Sequence, residues 1–412
     1  MRSRHVPGAR NCYSDGDLQS PSMTDAAQFP ALRMPKAPPT RPFVLFEDGR
    51  EGGRALLFEA PRELILAKAP GEVASAFARM EAATRAGSFL AGYASYELGY
   101  ALEPKFSAEA APPSPTPLLA FGVFDAPQRL PAEARQAPVF ERIALSPAWS
   151  EKEYAERFQK CRDYIFAGDV YQINLTFPLY GRYEGDPLAL YDALRKRQPV
   201  AFGGVVALGQ ETVVSLSPEV FFEAKGRDIR ARPMKGTAQR GFLPPEDMNR
   251  AKHLVEDEKS RAENLMIVDL LRNDLSRLAE VGSVKVTDLF TVETYPTLHQ
   301  MTSGIAARLR GDVGLAELFT GLFPCGSVTG APKIRAMEII RDLECAARGV
   351  YCGSLGLITP SGEVRFNVAI RTLTIFPDGN LVCNVGSAVV ADSTAREEYA
   401  ECLIKARFLT GA

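Results

Sequence analysis

Histidine and patterned cysteine are scarce in this chain. Its 412 residues hold three histidines, His5, His253 and His299, too few and too scattered for a histidine metal cluster. Seven cysteines form no C-x-x-C pair; an odd, unpatterned set reads as reduced thiols of a cytoplasmic protein, not as a disulfide frame or a zinc site. No apolar run reaches the ~18–20 residues of a membrane span, and there is no secretory apolar segment near the start. A dominant charge is missing too. Lys and Arg number 48 against 50 Asp and Glu, a net charge of −2, which argues against nucleic acid as the main partner. No internal repeat is visible.

What is present describes an ordinary soluble globular protein: 46% hydrophobic and 24% charged residues, with length enough for a large core. Residues 1–40 are rich in Pro, Ser, Arg and Ala without apolar period, and are expected to be a disordered, dispensable tail. Residues 41–140 read as an N-terminal subdomain, with strands at FVLFED and ALLFEA around a GREGG turn and a helix ending at Gly87. Pro- and Ala-rich stretches at 109–119 and 126–138 suggest a linker. The texture then changes over 150–409. SEKEYAERFQKCRDYIFAG is an amphipathic helix with Tyr154, Phe158, Cys161 and Ile165 on one stripe. Alternating strands follow, among them VYQINLTFPLYGRY, VRFNVAIRTLTIF and LVCNVGSAVV, separated by helices at PKIRAMEIIRDLE and AREEYAECLIKARFL. Hairpin turns such as TPSGE and PDGN favour antiparallel pairing, hence an α+β fold of layered sheets.

Several stretches could carry chemistry. In DEKSRAENLMIVDLLRNDLSR a helical period puts Glu256, Ser260, Glu263, Ile267, Leu270 and Asp274 on one face. A carboxylate sinking into a core must be paired, hydrogen-bonded or metal-bound, and from spacing alone an ion pair or solvated helix end is the simpler reading. Glu398 and Glu401 stand at i and i+3 with Lys405 one turn on; a solvated helix face explains them equally, while carboxylate oxygens would suit Mg²⁺. GSVTGAPK, leading into a helix, could aim N–H groups at an anion, without the spacing of a Walker A motif. Asn384–Ala388 is a weaker site of that kind. Arg371, inside a strand pattern, should have an anionic partner and can grip a carboxylate bidentately. In ARPMKGTAQR, Lys235 beside Arg232 and Arg240 could be a nucleophile of lowered pKa, with an exposed turn lysine as the plain alternative. Glu219 follows a Pro and precedes apolar residues, a setting for a protonated general acid. Tyr93, Tyr96 and Tyr100 read as packing with polar tips.

Together these motifs resemble those of chorismate-utilising enzymes, in the same order: GDVYQINLT, SLSPEVFF, RPMKGT, RAENLMIVDLLRNDL, YPTLHQMTSGI, GSVTGAPKIRAMEII, YCGSLG, FNVAIRT and EEYAECLIKA. The match covers about Ser150 to Phe408 and is most similar to the branch that makes aminodeoxychorismate. The resemblance implies two stacked, mostly antiparallel β-sheets flanked by helices, and a Mg²⁺-dependent reaction of chorismate with ammonia drawn from a separate glutamine amidotransferase subunit. It implies metal ligands at Glu263, Glu401 and Glu398, and a substrate-carboxylate site at Arg371, Tyr351, Lys405 and the Gly386 loop. Glu219 resembles the acid near the departing hydroxyl and His299 the histidine close to the ring. Gly236, Thr237 and Ser327 would line the pocket. Hydrolytic members carry a lysine base where this chain has Gln172, and anthranilate synthases have PIAGT where it has PMKGT, so Lys235 resembles the nucleophile. Two positions depart from the pattern: Ser260, where relatives often carry an acid, and Ala388, where many have a glycine. The competing expectations are an anthranilate synthase and a non-catalytic chorismate-binding homologue.

Overall fold

The computed structural model describes residues 42–50, 53–106, 112–131, 142–295 and 298–410. The expected tail at 1–40 lies outside the described residues.

Why strand Phe43–Glu47 is apolar throughout becomes clear from what covers it. All five residues are buried. Val44 and Phe46 pack into a cluster with Ala91, Tyr93, Phe124, Leu355 and Leu357 of the other sheet. Phe43 and Leu45 point the opposite way, into a cluster with Leu188 and Leu194 of helix Pro187–Arg197. A strand covered on both faces reads as a continuous apolar run instead of an alternation.

Two antiparallel sheets of ten strands each, counted among the described residues, stack on this principle. Strand Gln172–Arg182 lies near one end of the first, between Gly330–Ala331 and Asn380–Val389. Strand Met234–Gln239 edges the second and pairs with Leu298–Arg308. The stretch from 43 to 131 feeds both: Phe43–Glu47, Arg54–Glu59 and Gln128–Pro131 join the first sheet, and Glu63–Ala67, Phe89–Ala94 and Leu119–Phe124 the second. Part of the expected linker is therefore strand, since Gln128–Pro131 pairs with Arg54–Glu59; residues 132–138 of it lie outside the described residues, as do 109–111.

On the opposite, helix-covered face of the second sheet Phe121, Phe222 and Phe366 pack with Phe319 of helix Leu315–Leu322, and Phe177 of the first sheet packs with Tyr154 and Tyr399. The ring of Phe319 stands edge-on to Phe366 at 5.1 Å, the geometry that the ring quadrupole favours. Helix Glu151–Phe166 starts where the sequence says, with the Ser150 side chain accepting from the Glu153 N–H in a capping box; it buries Tyr154, Phe158 and Cys161. Helix Ala395–Lys405 is capped by Thr394 and turns Glu398 and Cys402 inward.

Two expectations are corrected. The helical face running from Glu256 to Asp274 is broken. Asp257 ends helix Pro244–Glu256 and caps helix Glu258–Ser276, its side chain accepting from the Ser260 N–H, so Glu256 belongs to a different helix. Nor is VRFNVAIRTLTIF one strand: Val364–Asn367 lies in the second sheet and Thr372–Ile375 in the first. The chain crosses between sheets at Arg371, whose φ is +49°, a conformation that period-two patterning does not reveal.

Candidate active site

Lys235 owes its place to a bulge. Pairing of Met234–Gln239 with Leu298–Arg308 slips between Met234 and Thr237, and Gly236 takes φ +88°, which glycine adopts without steric cost. A Cβ on Gly236 would come within 2.8 Å of Ser260 Cβ, so the approach of Ser260 leaves room only for glycine at this turn. The Gly236 carbonyl accepts from Gln300 Nε2 at 2.8 Å, and Thr237 Oγ1 donates to Gln300 Oε1 at 3.0 Å. Burial is the largest influence on the Lys235 amine and holds its pKa below the usual value; the Lys405 ammonium adds to this, while Glu263, Glu219 and Glu401 oppose it. The expected helpers, Arg232 and Arg240, take no part. Arg232 is committed to Glu293 and Asp288, and Arg240 to Asp247.

Glu219 sits beside this lysine. It is buried, and Ser327 Oγ donates to its Oε1 at 2.8 Å. Burial pushes its pKa up to about 7 against the pull of Ser327, Lys235 and the Met234 N–H, so the carboxyl is available in its protonated form near neutrality. Ser327 belongs to a 3₁₀ turn, Gly326–Val328, pressed against the acidic helix: a Cβ on Gly326 would run into Leu270. Beyond the turn Gly330–Ala331 pairs as a short strand, and Lys333 is engaged by Asp274 at 2.6 Å. The Val328 and Thr329 N–H groups are bonded within the loop, and Ser327's hydroxyl is the loop's contact with Glu219. The raised pKa has a consequence for stability. Between about 4.5, the ordinary value, and about 7, an unfolded chain ionises this carboxyl while the folded one does not, so its contribution is complete at low pH and is lost as pH rises through 7. Glu97, also raised to about 7 by burial, adds in the same direction. The thermal midpoint is expected to decline from about pH 5 to about pH 8, and less so in Glu219→Gln; calorimetry across that range checks it.

Two helices bring carboxylates toward the site, and of these Glu263 and Glu401 act on Lys235. Glu263 comes from Glu258–Ser276, Glu398 and Glu401 from Ala395–Lys405. Glu398 accepts from Ser393 Oγ at 2.7 Å; burial raises its pKa, and the Glu401 charge raises it further. Glu401 pairs with Lys405 at 2.8 Å, and Lys405 Nζ also donates to the Gly386 carbonyl at 2.8 Å. Glu401 is about half exposed, and Lys405, Lys235 and Lys259 together keep it below the ordinary range against partial desolvation. Among the described residues no three His, Cys, Asp or Glu side chains gather into a ready cage. The donors that do face the site are carboxylate oxygens, and the Glu398–Glu401 pair carries like charge. Both features suit a hard cation that takes one or two protein carboxylates and keeps waters.

The remaining expected residues are placed less directly. Both ring nitrogens of His299 are occupied, Nε2 by Asp247 at 2.8 Å and Nδ1 by Thr294 Oγ1 at 3.0 Å. Asp247, held well below the carboxylate range mainly by Arg240, thereby anchors helix Pro244–Glu256 to the strand of His299, which pairs with the strand that carries Lys235. Arg371 pairs with no carboxylate of the described residues, and burial lowers its pKa against the influence of Tyr295; it still keeps its proton. Gln172 is fully buried with neither amide atom partnered. Tyr351 is buried near Cys352, Arg348 and Cys402, its phenol pushed upward by burial. Gly386 pairs in register with Thr176, and Ala388 with Asn174; Ala388 is not among the positive-φ residues, so the alanine there is unstrained. Asp247 and Lys259 escaped the sequence reading, for nothing in spacing marks them.

The fold, two stacked antiparallel sheets flanked by helices, is a known architecture. It is similar to the crystal structure of anthranilate synthase component I from Streptococcus pneumoniae, with TM-score 0.73 over 99% of this chain and 100% of that one at 23% identity. It is also similar to the menaquinone-specific isochorismate synthase of Escherichia coli, with TM-score 0.72 over 90% and 89% at 15% identity. The chain belongs to the chorismate binding enzyme family, whose model matches residues 41–411. Curated relatives include aminodeoxychorismate synthase component 1 of Klebsiella aerogenes, 42% identical over 68% of this chain and 64% of that protein, and of Escherichia coli, 40% identical over 66% and 61%. Anthranilate synthase component 1 of Aquifex aeolicus is 36% identical over 64% and 53%. The matched part thus spans about three fifths of the length of the aminodeoxychorismate synthase relatives.

Proposed function

We propose that the chain aminates chorismate at C4, giving 4-amino-4-deoxychorismate, the precursor of 4-aminobenzoate and folate. The observation that carries this reading is Lys235, a lysine of lowered pKa next to a carboxyl that is half protonated near pH 7. The neutral amine attacks C2, the ring double bonds shift, and the C4–O bond breaks as Glu219 delivers a proton and water leaves. Ammonia then bonds to C4, the double bonds shift back and the C2–N bond to Lys235 breaks. Ammonia's surplus proton restores the acid, so that chorismate and ammonia give aminodeoxychorismate and water. An amine nucleophile divides one hard displacement into two easier ones.

In this reading Arg371, with no acid of its own, takes a substrate carboxylate, and Lys405, Tyr351, Gly386, Gly236, Thr237 and Ser327 shape the pocket. Gln172, an amide where hydrolytic relatives have a base, leaves water unactivated. Mg²⁺ would be held by Glu263, Glu398 and Glu401; when bound it supplies positive charge opposite the substrate's carboxylate. His299 serves as an anchor near the ring. The relatives' designation as component 1 supports a glutamine amidotransferase partner as the ammonia source. No helix among the described residues is long and apolar enough to cross a membrane, and six described cysteines are free thiols, in keeping with a cytoplasmic setting.

The anthranilate reading draws on the 36% identical relative and is opposed by Lys235. Incubation with chorismate, Mg²⁺ and an ammonium salt, followed by a lyase that releases 4-aminobenzoate, separates the two by chromatography. 4-Aminobenzoate is expected; anthranilate formed without the lyase, or no product, overturns the proposal.

A further inference from the structure

Arg348 lies outside the lysine–carboxylate cluster, buried, and is used by none of the steps above. Its guanidinium makes four hydrogen bonds. Nε and Nη2 bind the two carboxylate oxygens of Glu344 at 2.9 and 2.7 Å. Nη1 donates to the Val328 carbonyl at 2.8 Å and Nη2 also to that of Asn174 at 2.7 Å. Its own carbonyl accepts from Asn384 Nδ2 at 2.8 Å. These three contacts lie one, two and two residues from Ser327, Gln172 and Gly386. Glu344 extends the grip by accepting from the Thr176 N–H at 2.9 Å.

The arginine is itself held from the N-terminal stretch. Its N–H donates to Glu97 Oε1 at 2.8 Å, and its guanidinium lies 4.4 Å from the centroid of the Tyr96 ring. Glu97 and Tyr96 are both about 1% exposed. A buried ion pair by itself is weak support for stability, yet a planar fork with five donors can fix several acceptors at once where an ammonium cannot. Two segments distant in sequence meet on this side chain and a third on its backbone carbonyl, and each carries a residue of the proposed substrate pocket.

We infer that Arg348 is a positioning residue: it sets the Ser327 loop, the Gln172 strand and the Gly386 strand relative to one another, and the Tyr96–Glu97 stretch locks it in place. The N-terminal segment acts on substrate grip through this lock, without touching the substrate. The inference concerns chorismate binding and rests on the pocket assigned above, not on the amination step.

The test is a calorimetric titration of chorismate, in Mg²⁺ buffer, into the full chain carrying Lys235→Ala, which has no amine to form an adduct, alone and with Arg348→Lys, Ser327→Ala or both. Arg348→Lys keeps the charge but loses the fork, and is expected to bind chorismate at least about tenfold more weakly. Because part of that loss acts through Ser327, the double variant is expected to lose clearly less than the product of the two single losses. A merely structural arginine gives independent, multiplicative losses or none, and either result overturns the inference. Should Arg348→Lys fail to fold, Asn384→Ala, which removes only the donor to the Arg348 carbonyl, replaces it in the same cycle with the same outcomes. Failure of the amination reading shows in the product assay, which this titration does not use.

Discussion

Lys235→Ala is expected to lower ammonia-dependent turnover by roughly a thousandfold, about 4 kcal/mol of barrier at 1.36 kcal/mol per factor of ten, while chorismate binding persists. The size follows from what is removed. The amine is the one side chain in the site whose pKa is held down by burial and by Lys405, so it alone combines nucleophilicity with a place beside Glu219. The alanine variant keeps Glu263, Glu398, Glu401 and Arg371, and with them the groups proposed to bind substrate. Residual activity is expected as direct attack by ammonia, with a different ratio of aminodeoxychorismate to anthranilate. Steady-state rates and product analysis at saturating ammonium check this. A variant with near-wild-type kcat would make Lys235 a charge in the pocket wall, and the anthranilate reading would gain.

The second large effect is expected at Glu263. Glu263→Gln keeps size and hydrogen-bonding capacity but removes one of the carboxylate charges acting on Lys235. Two consequences pull in opposite directions, and the loss at the metal site outweighs the gain in neutral amine. A hard cation loses a charged oxygen donor, and the Lys235 amine loses the largest influence that raises its pKa. Turnover at moderate Mg²⁺ is expected to fall at least about a hundredfold, of the order that loss of metal-site groups commonly brings, with recovery shifted to higher Mg²⁺ and the fold retained by circular dichroism. Rate measured against Mg²⁺ concentration separates the outcomes. Full activity with an unchanged Mg²⁺ dependence removes Glu263 from the site.

Local signals served the sequence reading well where chemistry and structure coincide in a short span. Ser150 and Glu153 announce their helix because a capping box is a four-residue device. Glu219 is legible as a buried acid because Pro218 and the apolar run after it define its surroundings. The pairing of Glu263 with Glu401 rested on the family resemblance, for no local rule links positions so far apart in the chain. What stayed hidden depends on partners brought from elsewhere. Arg232 and Arg240 look like neighbours of Lys235 in sequence, but strand alternation and the bulge at Gly236 send them to Glu293 and Asp247. The crossing at Arg371 interrupts an unbroken β-like pattern because a positive φ leaves no mark on hydrophobic period. The partners of His299, Asp247 from helix Pro244–Glu256 and Thr294 from the neighbouring strand, leave no mark in the local sequence. Arg348 sits in an unremarkable ARG triplet, and its three carbonyl and amide contacts come from strands and loops that only the fold unites.

Covalent capture at Lys235 tests the central claim most directly. Wild-type protein is mixed with chorismate and Mg²⁺ in the absence of ammonia, quenched, digested and read by mass spectrometry. The account predicts an adduct with the mass of chorismate less one water, confined to the peptide that spans Lys235 and discharged when ammonium is added before the quench. An unmodified Lys235 peptide under conditions where the same preparation turns over chorismate with ammonia would contradict it.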